Sequence, residues 1–367
     1  MKRQLFHENI APSCYFRSSV EQPHRKALLQ ITERCNLFCA HCFVSSGNYG
    51  DVMELAAIQK TVIPRLKECR VISITLTGGE PFTHPEILEI VKVLRATEIE
   101  VSICTNATLI TLEQMESLSN IGRVHLNVSL DGFRPRSHGK FRGDRDSFLK
   151  TIETITLLGR YKLLKGLLVT ANNLAEIEEY AEICNFAISS GATYVLINPL
   201  SNFGRGTKSM RKLSPSNQTM RQIKEVTCIY TNAIELVNIR FPNDSLPLSA
   251  CEAGNIIYVF VRGELTVCPY LIFAAKVPNG RHKVEEFIVG NIFRDSNIAQ
   301  LLDKYKFYER YHIGDNLFCK NCEMDSKCGK GCPAAVIASG QHIEGIDQEM
   351  CPVVYKNANI AISDALN

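Results

Sequence analysis

At 367 residues and 45% hydrophobic content, the chain is long enough for one large α/β domain with a smaller companion, and its composition excludes a fibrous or disordered protein. A net charge of +3 is too small to point to nucleic acid, and no apolar run approaches the ~20 residues that a membrane span needs. Lys2 and Arg3 are followed by no apolar segment, so no signal peptide is expected, the protein is placed in the cytoplasm, and its 15 cysteines point to metal rather than to disulfides.

Residues 1–26 carry Pro12 and Pro23 and little periodicity, and are read as a lead-in too short to form a separate peptide-binding domain. From Ala27 the chain alternates strand and helix patterns. Strands are expected near 27–32, 71–76, 100–104, 124–129, 163–169 and 193–197, with helices near 52–67, 85–96, 111–119, 145–158 and 174–189, and with Thr111 and Asn173 as caps. That order predicts a parallel sheet curling into a partial (β/α)6 barrel over 27–215, with reacting groups at the carboxyl ends of its strands.

Just past the first strand lies Cys35-Asn36-Leu37-Phe38-Cys39-Ala40-His41-Cys42, a C-x3-C-x2-C spacing. Three thiolates can hold a [4Fe-4S] cluster by three irons and leave the fourth open; the same spacing alone serves equally for zinc or for structural cysteines. The later strand ends are polar or glycine-rich: Gly78-Gly79-Glu80-Pro81, Thr105-Asn106, Ser129-Leu130-Asp131-Gly132, Thr170-Ala171-Asn172 and Asn198-Pro199. Each taken singly reads as a turn or cap, but together they ring the barrel mouth that holds the three cysteines.

Arg205, Lys208, Arg211 and Lys212 form the densest basic patch and read as a solvated loop. A helix over Pro215–Glu235 and a turn-rich stretch make 216–250 a helical linker. Ile256–Val261 and Glu264–Cys268, separated by Arg262-Gly263, then predict a β-hairpin that opens a cysteine-rich unit over 251–367. Cys251, Gly263, Cys268, Cys319, Cys322, Cys328, Cys332 and Cys351 follow C-x11-G-x4-C, then C-x2-C-x5-C-x3-C, then C. A zinc ribbon would use four of those seven thiols. Cys14, Cys69, Cys104, Cys184 and Cys228 stand singly and are read as buried thiols.

On these motifs the chain resembles the radical S-adenosylmethionine (radical SAM) superfamily, and residues 251–351 are similar to its SPASM extensions, with every motif cysteine and the motif glycine present. The resemblance implies three [4Fe-4S] clusters. Cys35, Cys39 and Cys42 hold the one that binds SAM and cleaves it reductively to methionine and a 5′-deoxyadenosyl radical, which takes a hydrogen atom from substrate. It further implies that Gly78, Gly79, Glu80 and Pro81 receive the SAM ammonium group and that Thr105, Asn106, Ser129 and Asp131 serve its carboxylate and ribose. Arg142 is a partner for the carboxylate, and His41 stands where a ring near the adenine is usual. Cys251, Cys268 and Cys332 are assigned to a first auxiliary cluster, and Cys319, Cys322, Cys328 and Cys351 to a second.

Relatives similar to sulfatase maturases add an eighth cysteine where this chain has Ser245. The first auxiliary cluster is therefore expected to have three cysteine ligands, with its remaining iron open, bound by Asp244, or reached by Cys228. Similar proteins modify ribosomally made peptides by thioether, carbon–carbon or carbon–oxygen links or by epimerisation. The expected partners are a peptide substrate and a flavodoxin- or ferredoxin-type one-electron reductant, with the peptide engaged through a separate leader-recognition protein, by strand pairing along an exposed sheet edge, or through a short leader, and with no nucleic acid and no membrane. Formylglycine formation, dehydrogenation of a small alcohol or sugar, haem-pathway side-chain chemistry and electron transfer without SAM cleavage are the alternatives.

Overall fold

The computed structural model describes residues 9–16, 20–278 and 280–354. The ends of the expected lead-in and cysteine-rich units, residues 1–8 and 355–367, lie outside them.

Six strands form where the apolar, β-branched runs predict them: β1 (Arg25–Thr32), β2 (Val71–Gly78), β3 (Glu100–Thr105), β4 (Val124–Ser129), β5 (Leu164–Ala171) and β6 (Tyr194–Pro199). Each pairs in parallel with the next, so all six carboxyl ends share one edge. The crossover helices Ile87–Arg95, Leu112–Ile121, Ser147–Arg160 and Ile177–Ser189 lay their apolar stripes on the sheet: Ile87, Ile90, Val91 and Leu94 of the first are all buried. Thr111 caps its helix in a reciprocal bond pair with Gln114. Asn173 does not cap the next one. Its side-chain amide donates to the Ser214 carbonyl, and Glu179 accepts from the Glu176 amide at the true helix start.

The sheet is longer than the six strands. The expected helix after Pro215 runs only over Asn217–Cys228, and Glu235–Asn238 forms a short strand, β7, parallel to β6. The run Ile234–Ile239 carries the β-branched residues Ile234, Val237 and Ile239, and an edge slot beside β6 outweighs its proximity to the helix. At the other side, β8 (Ile256–Val259) and β9 (Glu264–Thr266) form the expected hairpin, with Gly263 at φ +93° in its turn. β8 pairs in parallel with β1, and β10 (Ile288–Asn291) closes the far edge against β9. The result is one ten-stranded sheet in the order β10-β9-β8-β1-β2-β3-β4-β5-β6-β7. No helix among the described residues is long and apolar enough to cross a membrane.

Candidate active site

The cysteine loop leaves β1 at Thr32 and is fastened at once to the end of β2. Gly79 N donates to Thr32 O at 2.9 Å and Glu80 N to Arg34 O at 2.8 Å. A Cβ on Gly79 would stand 2.2 Å from Arg34 O, and one on Gly78 would stand 2.4 Å from Thr32 O. Both glycines are required because two backbones touch there. Cys35 N in turn donates to Gly47 O, so the loop is closed at its base.

Glu80 is buried, and its carboxylate collects donors from the neighbouring strand end: Thr105 Oγ1 at 2.7 Å, Asn106 N at 2.7 Å and Phe82 N at 3.2 Å. Burial pushes its pKa up while these bonds oppose the shift. Asn106 Nδ2 donates to Asn36 Oδ1, one residue after Cys35, which stitches the third strand end to the cysteine loop. Pro81 starts a short turn behind this contact, and Ser129 stands partly exposed at the end of β4.

Asp131 is fully buried. It accepts from Arg142 Nε at 2.7 Å and from Thr170 N at 2.7 Å, so its carboxylate is spent inside the protein rather than offered to a ligand. The same guanidinium reaches Cys39, with Nη1 3.9 Å from Sγ. Asp131 thus aims a cation at the Cys39 sulfur. His41 stacks on Phe141 at 4.5 Å with the planes 8° apart, which occupies one face of its ring. Burial takes its pKa down to about 4, so the imidazole is neutral near pH 7.

Arg205 corrects the reading of residues 205–212 as a solvated loop. Its Nε donates to Cys39 O at 2.8 Å and its Nη1 to Ser46 O at 2.6 Å, and its guanidinium lies 3.9 Å from the Phe38 ring centre. Ser209 Oγ donates to Ala40 O in the same loop. Arg211 and Lys212 are exposed. A long-range arginine contact of this kind leaves no local spacing to find.

Cys35, Cys39 and Cys42 form a small buried group with Leu37. Leu37 N donates to Cys35 Sγ at 3.4 Å, and burial raises the Cys35 thiol to about 12, with negative charge on Cys39, Glu80 and Cys42 adding to the shift. Such a site favours thiols until a cation brings charge to pair with thiolate. Three thiols, an amide bonded to sulfur and a guanidinium beside it suit an iron–sulfur cluster. Beside Phe43 opens a cleft of about 370 Å³, lined also by Gly204, Thr207, Lys208, Phe273 and Lys276.

The remaining motif cysteines fall into two neighbourhoods. Charge on Cys332 raises Cys268, while Cys319 senses Cys351 and Cys328, and Cys351 senses Cys328 and Cys322. Asn316 Nδ2 donates to Cys319 Sγ at 3.5 Å and Lys330 N to Cys328 Sγ at 3.4 Å. Among the described residues no three His, Cys, Asp or Glu side chains close on one point as the ligands of a single metal ion do. Ligands at the corners of an iron–sulfur cube stand further apart. Tyr194 bonds Asn127, and Tyr270 stacks on Tyr15, so both pack within the protein. The Cys69 and Cys184 thiols are buried as expected, but Cys228 is exposed.

Residues 29–184 match the family model of the radical SAM superfamily. Over 332 residues the chain is 26% identical to the mycofactocin maturase MftC of Mycolicibacterium smegmatis, a match covering 87% of this chain and 81% of that protein. It is also 26% identical to the antilisterial bacteriocin subtilosin biosynthesis protein AlbA of Bacillus subtilis, over 88% of this chain and 68% of that protein. Among solved structures, Streptococcus suis SuiB bound to its precursor peptide SuiA superposes with a TM-score of 0.68 at 18% identity, covering 88% of this chain and 75% of that one. At that identity the likeness speaks for the fold alone.

Proposed function

We propose that this chain, whose residues 29–184 match the radical SAM family model, is an enzyme that cleaves SAM and modifies a ribosomally made peptide. The observation that carries the proposal is the fastening of the Cys35–Cys42 loop to Gly79, Glu80, Asn106 and Arg142, which unites three thiols with three strand-end residues and a guanidinium. When bound there, a [4Fe-4S] cluster and SAM supply hydrogen-atom abstraction from an unactivated carbon. Cys35, Cys39 and Cys42 hold that cluster. Arg142, oriented by Asp131, balances charge beside Cys39, and the backbone around Gly78–Pro81, with Thr105, Asn106, Ser129 and the His41 ring, would hold SAM.

The relatives are by name a mycofactocin maturase and a bacteriocin biosynthesis protein, and a bacteriocin is a peptide, which supports a peptide as substrate. The cleft beside Phe43 opens next to the third cysteine and offers Lys208 and Lys276 to an acidic or carbonyl-rich chain. Cys251, Cys268 and Cys332 serve a first auxiliary cluster, and Cys319, Cys322, Cys328 and Cys351 a second. Bond formation after hydrogen abstraction is a net oxidation, and clusters held by these cysteines would supply a path for the surplus electron. A flavodoxin- or ferredoxin-type protein would deliver the priming electron.

Anaerobic reconstitution followed by reduction with SAM tests the reading. About twelve irons per chain and release of 5′-deoxyadenosine are expected, and peptides encoded beside the gene then gain or lose hydrogen by mass spectrometry. Iron without the nucleoside would leave an electron carrier in place of an enzyme, and zinc without iron would end the proposal.

A further inference from the structure

Cys14 stands alone in the sequence, yet it is 2% exposed. Its Sγ lies 3.3 Å from Gly331 O, 317 positions away, and 3.8 Å from Ser249 O. Gly331 immediately precedes Cys332, and Ser249 stands two residues before Cys251. Cys251 and Cys332 both act on the Cys14 thiol through their side chains. The helices that begin just after Cys268 and Cys332, Pro269–Ala275 and Pro333–Ala338, pack together, and charge on Cys332 reaches Cys268. Cys14, Cys268 and Cys332 are buried and Cys251 half-buried, and the four thiols come from four separate stretches of chain to one neighbourhood.

The lead-in is held there by a designed-looking set of bonds. Ala11 N donates to Pro247 O and Ser249 N to Ala11 O, while Ser13 N donates to Ser249 Oγ at 3.1 Å. Arg240 donates to Ser13 O at 2.8 Å and pairs with Asp347, whose Oδ2 in turn accepts from Cys332 N at 3.0 Å. The arginine and aspartate thus fix Cys14 and Cys332 in one frame. The two ligands considered from sequence lie elsewhere: Cys228 is exposed and donates to Glu225 O at 3.0 Å, and Asp244 pairs with Arg221 at 2.6 Å.

We propose that Cys14 is the fourth thiolate of the first auxiliary cluster, completing the set Cys251, Cys268 and Cys332. The inference rests on the reading that those three hold a cluster. On ligation the Cys14 thiol gives up its proton to solvent and its sulfur binds the fourth iron. That iron is then closed to a substrate thiolate, and the cluster works as an electron carrier.

The test uses the full chain with Cys35, Cys39 and Cys42 all changed to Ala, so that only auxiliary iron remains after reconstitution with 57Fe. About eight irons are expected in this parent, with a Mössbauer spectrum in which every iron has all-sulfur ligation and an EPR signal that added β-mercaptoethanol does not move. Adding Cys14→Ala should create one distinct iron and an EPR signal that shifts with the thiol, and Cys14→Ser should keep the iron but alter the spectrum. Spectra that are the same with and without Cys14 overturn the proposal. If both Cys14 variants fail to fold, the parent decides alone: an iron there with a nitrogen or oxygen ligand overturns it, and uniform sulfur ligation upholds it. A parent that binds no iron instead removes the auxiliary-cluster reading itself.

Discussion

Asp131 and Arg142 show how a buried charge pair positions a group beside Cys39. Taking both out of water is expensive, and their mutual 2.7 Å contact, the Thr170 amide and the Cys39 sulfur offset the cost. Asp131→Asn leaves the guanidinium buried without its counter-charge. The apo protein should lose about 3–5 kcal/mol of stability, read as a lowered urea midpoint, and a midpoint unchanged from the parent would show that Arg142 finds another partner. The motif residues at this scale were legible because family spacing marks them: Glu80, Thr105 and Asn106 do meet in one hydrogen-bonded group. Arg205 and Cys14 were not legible. Each reaches its partners across more than a hundred residues of chain, and an isolated arginine or cysteine carries no period or spacing. Asp131 was found but its neighbourhood was not, because the sequence cannot say that Arg142 has already claimed it.

The cysteine loop is an element only by virtue of what it leans on. It is irregular, so its position depends on backbone contacts with the end of β2, with Asn106 and with residues 205–209. Gly79→Ala should push Arg34 outward, since the new methyl would meet its carbonyl at 2.2 Å. The effect expected is selective: iron falls from about twelve to about eight per chain, while the auxiliary EPR signals persist. Loss of all iron would mean that the glycine supports the whole fold, and full retention would mean that the loop relaxes freely. Elements that bury one face were predictable because their periodicity is forced by the core, as in Ile87–Arg95. β7 escaped because four residues are too short to show a period, and its strand state is set by the open edge of β6.

At the scale of the molecule, the change in cysteine content near residue 250 suggests a seam, yet backbone hydrogen bonding crosses it. β1 is paired on one side with β2 and on the other with β8, over Lys26–Leu29 and Ile256–Val259. The hairpin of the cysteine-rich region therefore supplies one flank of the strand that launches the Cys35 loop. Arg240, from the stretch after β7, adds a second crossing through Ser13 and Asp347. Separating the regions would strip β1 of one ladder and leave the Arg240 charge buried, both costly steps. Unfolding of the apo chain should accordingly be one cooperative transition. The chain contains no tryptophan, so single reporters can be placed cleanly: Phe186→Trp on the helix beyond β5, and Phe260→Trp beside β8. Coincident urea curves from the two are expected, matching the far-ultraviolet circular dichroism. A Phe260→Trp transition at lower urea would show that the cysteine-rich region melts alone, and the shared sheet would then be a contact between independently stable units.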